Sequence, residues 1–375
     1  MLPAIPSTFG RLSDVFASSL GAITGLDNRL GLKVAKRSIV VMVDGLGSQN
    51  LKAGAGHAPT LQQALNRSKP ISCGFPSTTA TSLTSFGTGL AAGQHGFVGY
   101  KLLDQSSGKT FNLLNGWDSV ATAQSWQPQQ TVSQRALAAG VTPFFIGPKA
   151  YQGSPFTAAI MQGSEYLVGR TVADRFDQAA KLLASHKDSF ICYLYVPELD
   201  QVAHAQGAAS QKWLIELEEL DSQVRQLAAH LGKGDGLLLT ADHGIVDVPA
   251  HRQVFLDTLD VDWSMVREVA GEPRVNFIYL NDPPVSVAFA SALQSVIGDA
   301  GLALTRAAVL EAGWYGDATQ VAIERMPDVF VLATKNVAFY HRDYAPAASL
   351  SMIGQHGGLS SAELTVPLLS WGAFV

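Results

Sequence analysis

"RSIVVMVDGLG", residues 37–47, decides the fold class. It is a continuous β-branched and apolar run, and it closes on Asp44-Gly45. A strand with one wet face alternates polar and apolar residues. A run without alternation has both faces covered, as in a parallel sheet. Two later stretches repeat the design: "SFICYLYVPELD" (189–200) and "DGLLLTADHG" (235–244) are apolar strands that end in acids. "VTPFFIG" (141–147) adds a strand, and "SCGFP" (72–76) a short one stopped by proline. Between them lie helical patterns at 60–68, 79–88, 131–140, 171–186 and 210–232, the last with Gly232 as its expected cap. Strand and helix alternate through residue 244, which predicts an α/β fold: a doubly wound, mostly parallel sheet with helices on both faces. From about 250 to 345 the texture changes to "RVNFIYL", "VSVAFASALQSVIG", "LTRAAVLEAG" and "DVFVLATKN". This stretch predicts a small α+β insert within one domain that spans 1–375.

The 375 residues are 47% hydrophobic and 15% charged, ample for a large core. A net charge of -5 gives the chain no general attraction to nucleic acid or to an anionic membrane, and neither is expected as a partner. Cys73 and Cys192 lie in apolar runs and read as buried free thiols. The N-terminal stretch lacks the basic start and apolar core of a signal peptide. No apolar run reaches the roughly 18 residues of a spanning helix, so a cytoplasmic location is expected. No internal repeat is present, and nothing in the chain fixes an oligomeric state.

Ligands of doubly wound sheets bind at the carboxyl ends of the strands. Asp44, Asp200 and Asp242 are expected there together. His243 follows Asp242, His204 lies four residues after Asp200 on the same helical face, and His356 sits in the glycine-rich "GQHGG". Six Asp and His residues in two sets of three are the composition of a two-metal site, and imidazole with carboxylate suits zinc or a similar divalent ion. Three crowded carboxylates would otherwise repel one another, and cations relieve that conflict. "GFPSTTATSLTSFGTG" (74–89) carries five threonines and three serines without a charge. One hydroxyl at the start of a helix there suits a nucleophile, because helix N–H groups and the dipole favour phosphate and alkoxide. The remaining hydroxyls read as caps and core hydrogen bonds.

"VVMVDGLG", "FPSTTATSLTSFGTGLAAGQHGFVGY", "YVPELDQVAHAQG", "LLLTADHG" and "GQHGG" occur in an order that resembles the alkaline phosphatase superfamily, in its nucleotide pyrophosphatase/phosphodiesterase branch. The set runs from residue 40 to 358. The resemblance implies one metal at Asp200, His204 and His356 and another at Asp44, Asp242 and His243. It implies that the nucleophile is Thr79, three residues after Pro76, with Thr78 the nearest competitor, and that Thr81, Thr84 and Ser85 are helix-face hydroxyls. The implied cofactors are two divalent ions, zinc first and manganese or iron as alternatives. Many members carry an Asn about twenty residues after the nucleophile; this chain has Gly99 and Tyr100 there, and Tyr100, Asn112 or Asn115 could donate instead. Ala80 replaces an aromatic residue that stacks on the base in several members.

The implied reaction is hydrolysis of a phosphodiester or pyrophosphate through a phospho-threonine intermediate. The substrate is then a small phosphate ester or a nucleotide. No Arg lies between residues 71 and 100, and Lys101 and Lys149 are the nearest cations in sequence, which favours a diester over a more highly charged monoester. Phe97, Tyr100, Trp117, Tyr151 and Phe156 are candidates for a leaving-group pocket, and Tyr100, Asn115 and Tyr151 for substrate contacts. Alternatives on the same fold are a phosphomonoesterase, a phosphonate hydrolase or a phosphoglycerate-mutase-like enzyme; an alternative of another class is an idle metal-binding module.

Overall fold

A computed structural model describes residues 2, 3, 5 and 8–375. Its centre is the predicted run, β1 (Arg37–Val43). In chain order we label the other strands used below β2 (Lys101–Asp104), β3 (Lys109–Asn112), β4 (Thr142–Gly147), β5 (Glu165–Val168), β6 (Phe190–Val196), β7 (Asp235–Ala241), β8 (Val266–Glu272), β9 (Val275–Leu280), β10 (Gly301–Thr305), β11 (Val329–Ala333) and β12 (Leu368–Gly372). The helices are α1 (Leu12–Thr24), α2 (Thr79–Thr88), α3 (Val172–Ser185), α4 (Glu198–Gln206), α5 (Gln211–Ala229) and α6 (Ser286–Ile297).

The main sheet runs β12-β7-β1-β6-β4-β5, parallel except for β12, which lies antiparallel to β7. β1 is flanked by β6 and β7, and Val43 aligns with Val196 on one side and Ala241 on the other. The three strands therefore end at one level, and the residues that follow them meet at one edge. Helices cover both faces of this sheet. Phe16 of α1 stacks on Phe86 of α2 with ring centroids 4.7 Å apart, and Phe86 meets Tyr193 of β6 at 5.1 Å.

The α2 helix starts and stops where the hydroxyl-rich stretch predicts, and all ten of its residues are buried. Four of its hydroxyls are used as core hydrogen bonds: Thr81 donates to Phe97 O (2.9 Å), Thr84 to Ala80 O (2.6 Å) and Thr88 to Thr84 O (2.7 Å), while Ser85 pairs with His95 Nε2 (2.9 Å). Burying a hydroxyl without a partner would cost free energy, so a buried Thr- and Ser-rich helix is stable only because these acceptors lie within reach.

A second sheet, β8-β9-β11-β10, is antiparallel and lies within the stretch of changed texture. With α6 it forms its own apolar cluster, including Ile278, Phe289, Leu293, Val329 and Val331. The β8–β9 hairpin turns through Gly271-Glu272-Pro273-Arg274. Gly271 has φ +77°, and a Cβ there would lie 2.3 Å from Val275 O, so the turn needs glycine.

Several local expectations change. "SFICYLYVPELD" stops being a strand at Val196, and Asp200 sits in the first turn of α4 instead of at a strand end. Gly232 does not cap α5: the helix ends at Ala229 with His230 at the cap, and Gly232 donates its N–H to Asp235 Oδ2 at 2.7 Å. "SCGFP" contributes only Ser72, to a two-residue strand Ile71–Ser72 paired to Thr365–Val366. Cys73 and Cys192 are free and buried. Among the described residues, no helix is long and apolar enough to cross a membrane.

Candidate active site

Asp44 directly follows β1 and Asp242-His243 directly follows β7, while Pro197 opens α4 and brings Asp200 and His204 to the same edge. His356 arrives on the loop after Gly354–Gln355. Two groups of three result. The side-chain ligand atoms of Asp200, His204 and His356 lie within 4.8 Å of one another, and so do those of Asp44, Asp200 and His243. Asp200 thus stands between the two groups. Asp242, which the sequence assigns to the second group, stays beside it: Oδ2 is 3.6 Å from His243 Nε2, while Oδ1 accepts from Gly45 N (3.2 Å) and His243 N (3.0 Å).

The donors fit divalent cations. Asp44 Oδ1, Asp200 Oδ1 and Asp242 Oδ2 are buried without a hydrogen-bond partner among the described residues, an arrangement that is costly unless something positive arrives. The outer contacts aim the rings. His204 Nδ1–H donates to Gly354 O (2.8 Å) and His356 Nδ1–H to Ser77 O (3.0 Å), which leaves each Nε2 as the ligating nitrogen. The Tyr195 hydroxyl donates to Asp44 Oδ2 and orients that carboxylate.

Electrostatics tell the same story. Burial, reinforced by Asp44, pushes the Asp242 carboxyl well above its usual range. Burial alone would lower His243, but Asp242 and Asp44 outweigh it and hold it up at about 10. His204, opposed by burial in the same way, is held at about 9 by Asp200, 3.3 Å away. His356, buried and stacked on the charged His243 ring with centroids 3.7 Å apart, is pushed well below 6.5.

Thr79 is the first residue of α2. Its Oγ1 lies 3.1 Å from His243 Nε2, directly beside the second ligand group. Thr78 is turned elsewhere: it donates to Glu272 Oε1 at 2.7 Å and does not cap the helix. The first N–H groups of α2, those of Thr79 and Ala80, have no intrahelical acceptor by position, and an uncapped N-terminus is open to an anion.

A family model of type I phosphodiesterases/nucleotide pyrophosphatases matches residues 38–359. The chain belongs to this family. Its fold is that of murine ectonucleotide pyrophosphatase/phosphodiesterase 5, with a TM-score of 0.70 and 17% identity over 89% of this chain and 88% of that one. An inactive threonine-to-alanine variant of the murine protein, in complex with AMP, matches with a TM-score of 0.69 and 16% identity over 90% and 88%. The human counterpart matches with a TM-score of 0.69 and 18% identity over 89% and 87%. No curated protein sequence matches the chain. The chemistry of this family is phosphodiester hydrolysis.

Within this phosphodiesterase-family chain, Thr79, Asp44, Asp200, His204 and His356 line one cavity of about 770 Å³. Tyr100, Asn112, Asn115, Tyr151 and Phe156 also line it. Phe97 and Trp117 do not: they pack on each other at 5.8 Å, with Phe97 fully buried, because the "HGFVGY" turn points Phe97 inward. Ala80 is fully buried outside the cavity lining, so an aromatic residue there would overpack the core before it met a base. Lys101 is the one Lys or Arg among the lining residues. Lys149 is exposed, hydrogen-bonds Gln152 and lies outside the lining.

One acid was missed by the sequence reading. Glu272, at the end of β8, is half-buried in the cavity wall, its side chain 8% exposed, with Oε1 accepting from Thr78 and Oε2 3.7 Å from His356 Nδ1. Burial pushes its pKa to about 8. The only local signal is "GEPR", an acid before proline in a tight turn, which ordinarily means a solvated loop.

Proposed function

We propose that the chain is a divalent-metal-dependent phosphodiesterase with Thr79 as its nucleophile. The observation that carries this reading is the position of Thr79 Oγ1: it stands at an uncapped helix N-terminus, 3.1 Å from His243 in a cavity shared with both ligand groups. Two ions, zinc by the donor set with manganese or iron as alternatives, would be held by Asp200, His204 and His356 and by Asp44, Asp242 and His243. When bound they lower the pKa of a hydroxyl and offset phosphate charge.

Thr79 Oγ1 gives up its proton to solvent water and forms a bond to phosphorus as the bond to the ester oxygen breaks. The departing alkoxide takes a proton from water. Water then cleaves the threonine phosphate, which releases a phosphomonoester and restores Thr79. The N–H groups at the start of α2 stabilise the phosphoryl oxygens in both steps. Tyr100, Asn115 and Tyr151 contact the organic part of the substrate.

With Lys101 the one Lys or Arg in the lining, the cavity suits the single charge of a diester better than a dianionic monoester. AMP in the inactive threonine-to-alanine variant of the murine structure supports a nucleotide ester as one substrate class and a threonine as the essential residue. The test is elemental analysis with kinetics on bis-(p-nitrophenyl) phosphate. Two ions per chain and loss of activity with a chelator are expected; activity that survives in metal-free protein rejects the reading.

A further inference from the structure

The β8–β9 turn sends two neighbouring side chains to two different parts of the site. Glu272 accepts the Thr78 hydroxyl at 2.7 Å. Arg274 forms a two-pronged pair with Glu363, Nε to Oε1 at 3.0 Å and Nη2 to Oε2 at 2.8 Å. Glu363 in turn accepts from Gly358 N (2.9 Å) and Ser360 Oγ (2.5 Å), which pins the loop that carries His356. Arg274 also donates to Lys335 O and Val337 O, so its position is fixed from the second sheet. The fit is close: Gly357 has φ +114°, and a Cβ there would lie 2.5 Å from Glu272 Oε2.

We infer that Glu272 and Arg274 are positioning residues, and that this turn holds the nucleophile turn and the His356 loop in register. Glu272 acts through Thr78. By drawing that hydroxyl away from the helix end, it keeps the first N–H groups of α2 free and fixes the backbone that presents Thr79 Oγ1. Arg274 acts through Glu363 and Gly358 on His356. The inference rests on the reading of Thr79 and His356 given above. Neither residue needs to touch substrate. What matters for Glu272 is an acceptor for Thr78, and for Arg274 the fork that a planar guanidinium makes with a carboxylate.

The experiment uses the full chain, with kinetics on bis-(p-nitrophenyl) phosphate and calorimetric titration of chelator-stripped protein with Zn²⁺ alone. Glu272 faces the cavity, so its variants leave the core intact. Glu272→Ala should lower kcat roughly 10- to 100-fold, the scale of a small displacement of a reacting group, while KM and both Zn²⁺ binding steps stay near wild type. Glu272→Gln keeps an acceptor for Thr78 and should recover most of kcat. Arg274→Lys keeps the charge but loses the fork, and it should weaken one Zn²⁺ step by about tenfold while sparing the other. The inference falls if Glu272→Ala turns over like wild type, or if Glu272→Gln is as slow as Glu272→Ala, since the carboxylate charge would then act directly on substrate. It also falls if Arg274→Lys changes neither Zn²⁺ step, or both equally. A wild-type chain that neither binds Zn²⁺ nor cleaves the diester sinks the underlying reading together with this one.

Discussion

Two sets of buried acids in this chain stand in opposite electrostatic states. At the edge of the main sheet, Asp44, Asp200 and Asp242 each keep a carboxylate oxygen without a partner among the described residues, and the Asp242 carboxyl is pushed well above its ordinary range by burial and by Asp44. In the short helix Ser361–Leu364, Glu363 is just as buried, yet both its oxygens are satisfied by Arg274 of the second sheet's turn, by Gly358 and by Ser360. Burial also pushes Glu363 upward, but Arg274 outweighs it and holds the carboxyl below its ordinary range. The difference teaches what each set is for. Carboxylate oxygens left open beside a cavity are free to take a cation; oxygens closed by a fork of donors hold two segments together. Substitutions at the edge should therefore cost turnover and little stability, and breaking the Arg274–Glu363 fork should cost stability first.

The largest expected effect lies at the edge. Thr79→Ala should lower kcat on the order of 10³-fold or more, as loss of a covalent nucleophile does, with metal content and urea midpoint nearly unchanged. A variant that keeps its rate, with Thr78→Ala as the slow one, would move the nucleophile.

Next comes the Arg274–Glu363 fork. Glu363→Ala strands a buried guanidinium and should destabilise the fold by about 3–5 kcal/mol in urea unfolding. The pH sign follows from the lowered folded pKa. The contribution of Glu363 is complete above its unfolded pKa, about 4.3, and is lost as pH falls through the lower folded value. Acid titration of stability should show that loss in wild type and lack it in Glu363→Gln. Equal acid profiles would erase the contrast between the two sets.

A smaller effect sharpens the account of charge at the edge. kcat/KM for bis-(p-nitrophenyl) phosphate should exceed that for p-nitrophenyl phosphate by at least roughly tenfold, about 1.4 kcal/mol of transition-state binding. A preference for the monoester would show that Lys101, or a cation reaching in from the second sheet, meets the extra charge.

The smallest expected effect is on the folding of metal-free protein. Asp242→Asn replaces an acid that burial and Asp44 already drive toward its neutral form, so its stability should be equal to wild type or higher, within about 1 kcal/mol. A clear loss of stability there would mean that Asp242 is a structural acid like Glu363.

Much of this arrangement was legible along the chain. β1 and β7 were readable because a buried parallel strand needs an unbroken apolar run and the acid that ends it is adjacent in sequence. The limits of α2 were readable from Thr79 to the left-handed Gly89 that closes it. His204 was placed on the face of Asp200 by helical spacing alone. The strand reading of 189–200 ran too far because Pro197 can stop a strand or open a helix, and the apolar pattern does not tell these apart.

By itself, then, the sequence determined the elements whose information is local: apolar runs, the acids at their ends, a hydroxyl-rich helix start and the glycines around His356. Only the tertiary structure decided that Asp200 stands between both ligand groups, that Ala80 and Phe97 face the core, and that Glu272 and Arg274 reach the site. Glu272 lies 194 residues from Thr78, and Arg274 lies 89 from Glu363. "GEPR" in a hairpin turn is ordinarily solvated, and no local pattern distinguishes a wet turn from a buried one. What buries it is the packing of the second sheet against the edge of the first, and that packing is set by the apolar surfaces of both sheets together.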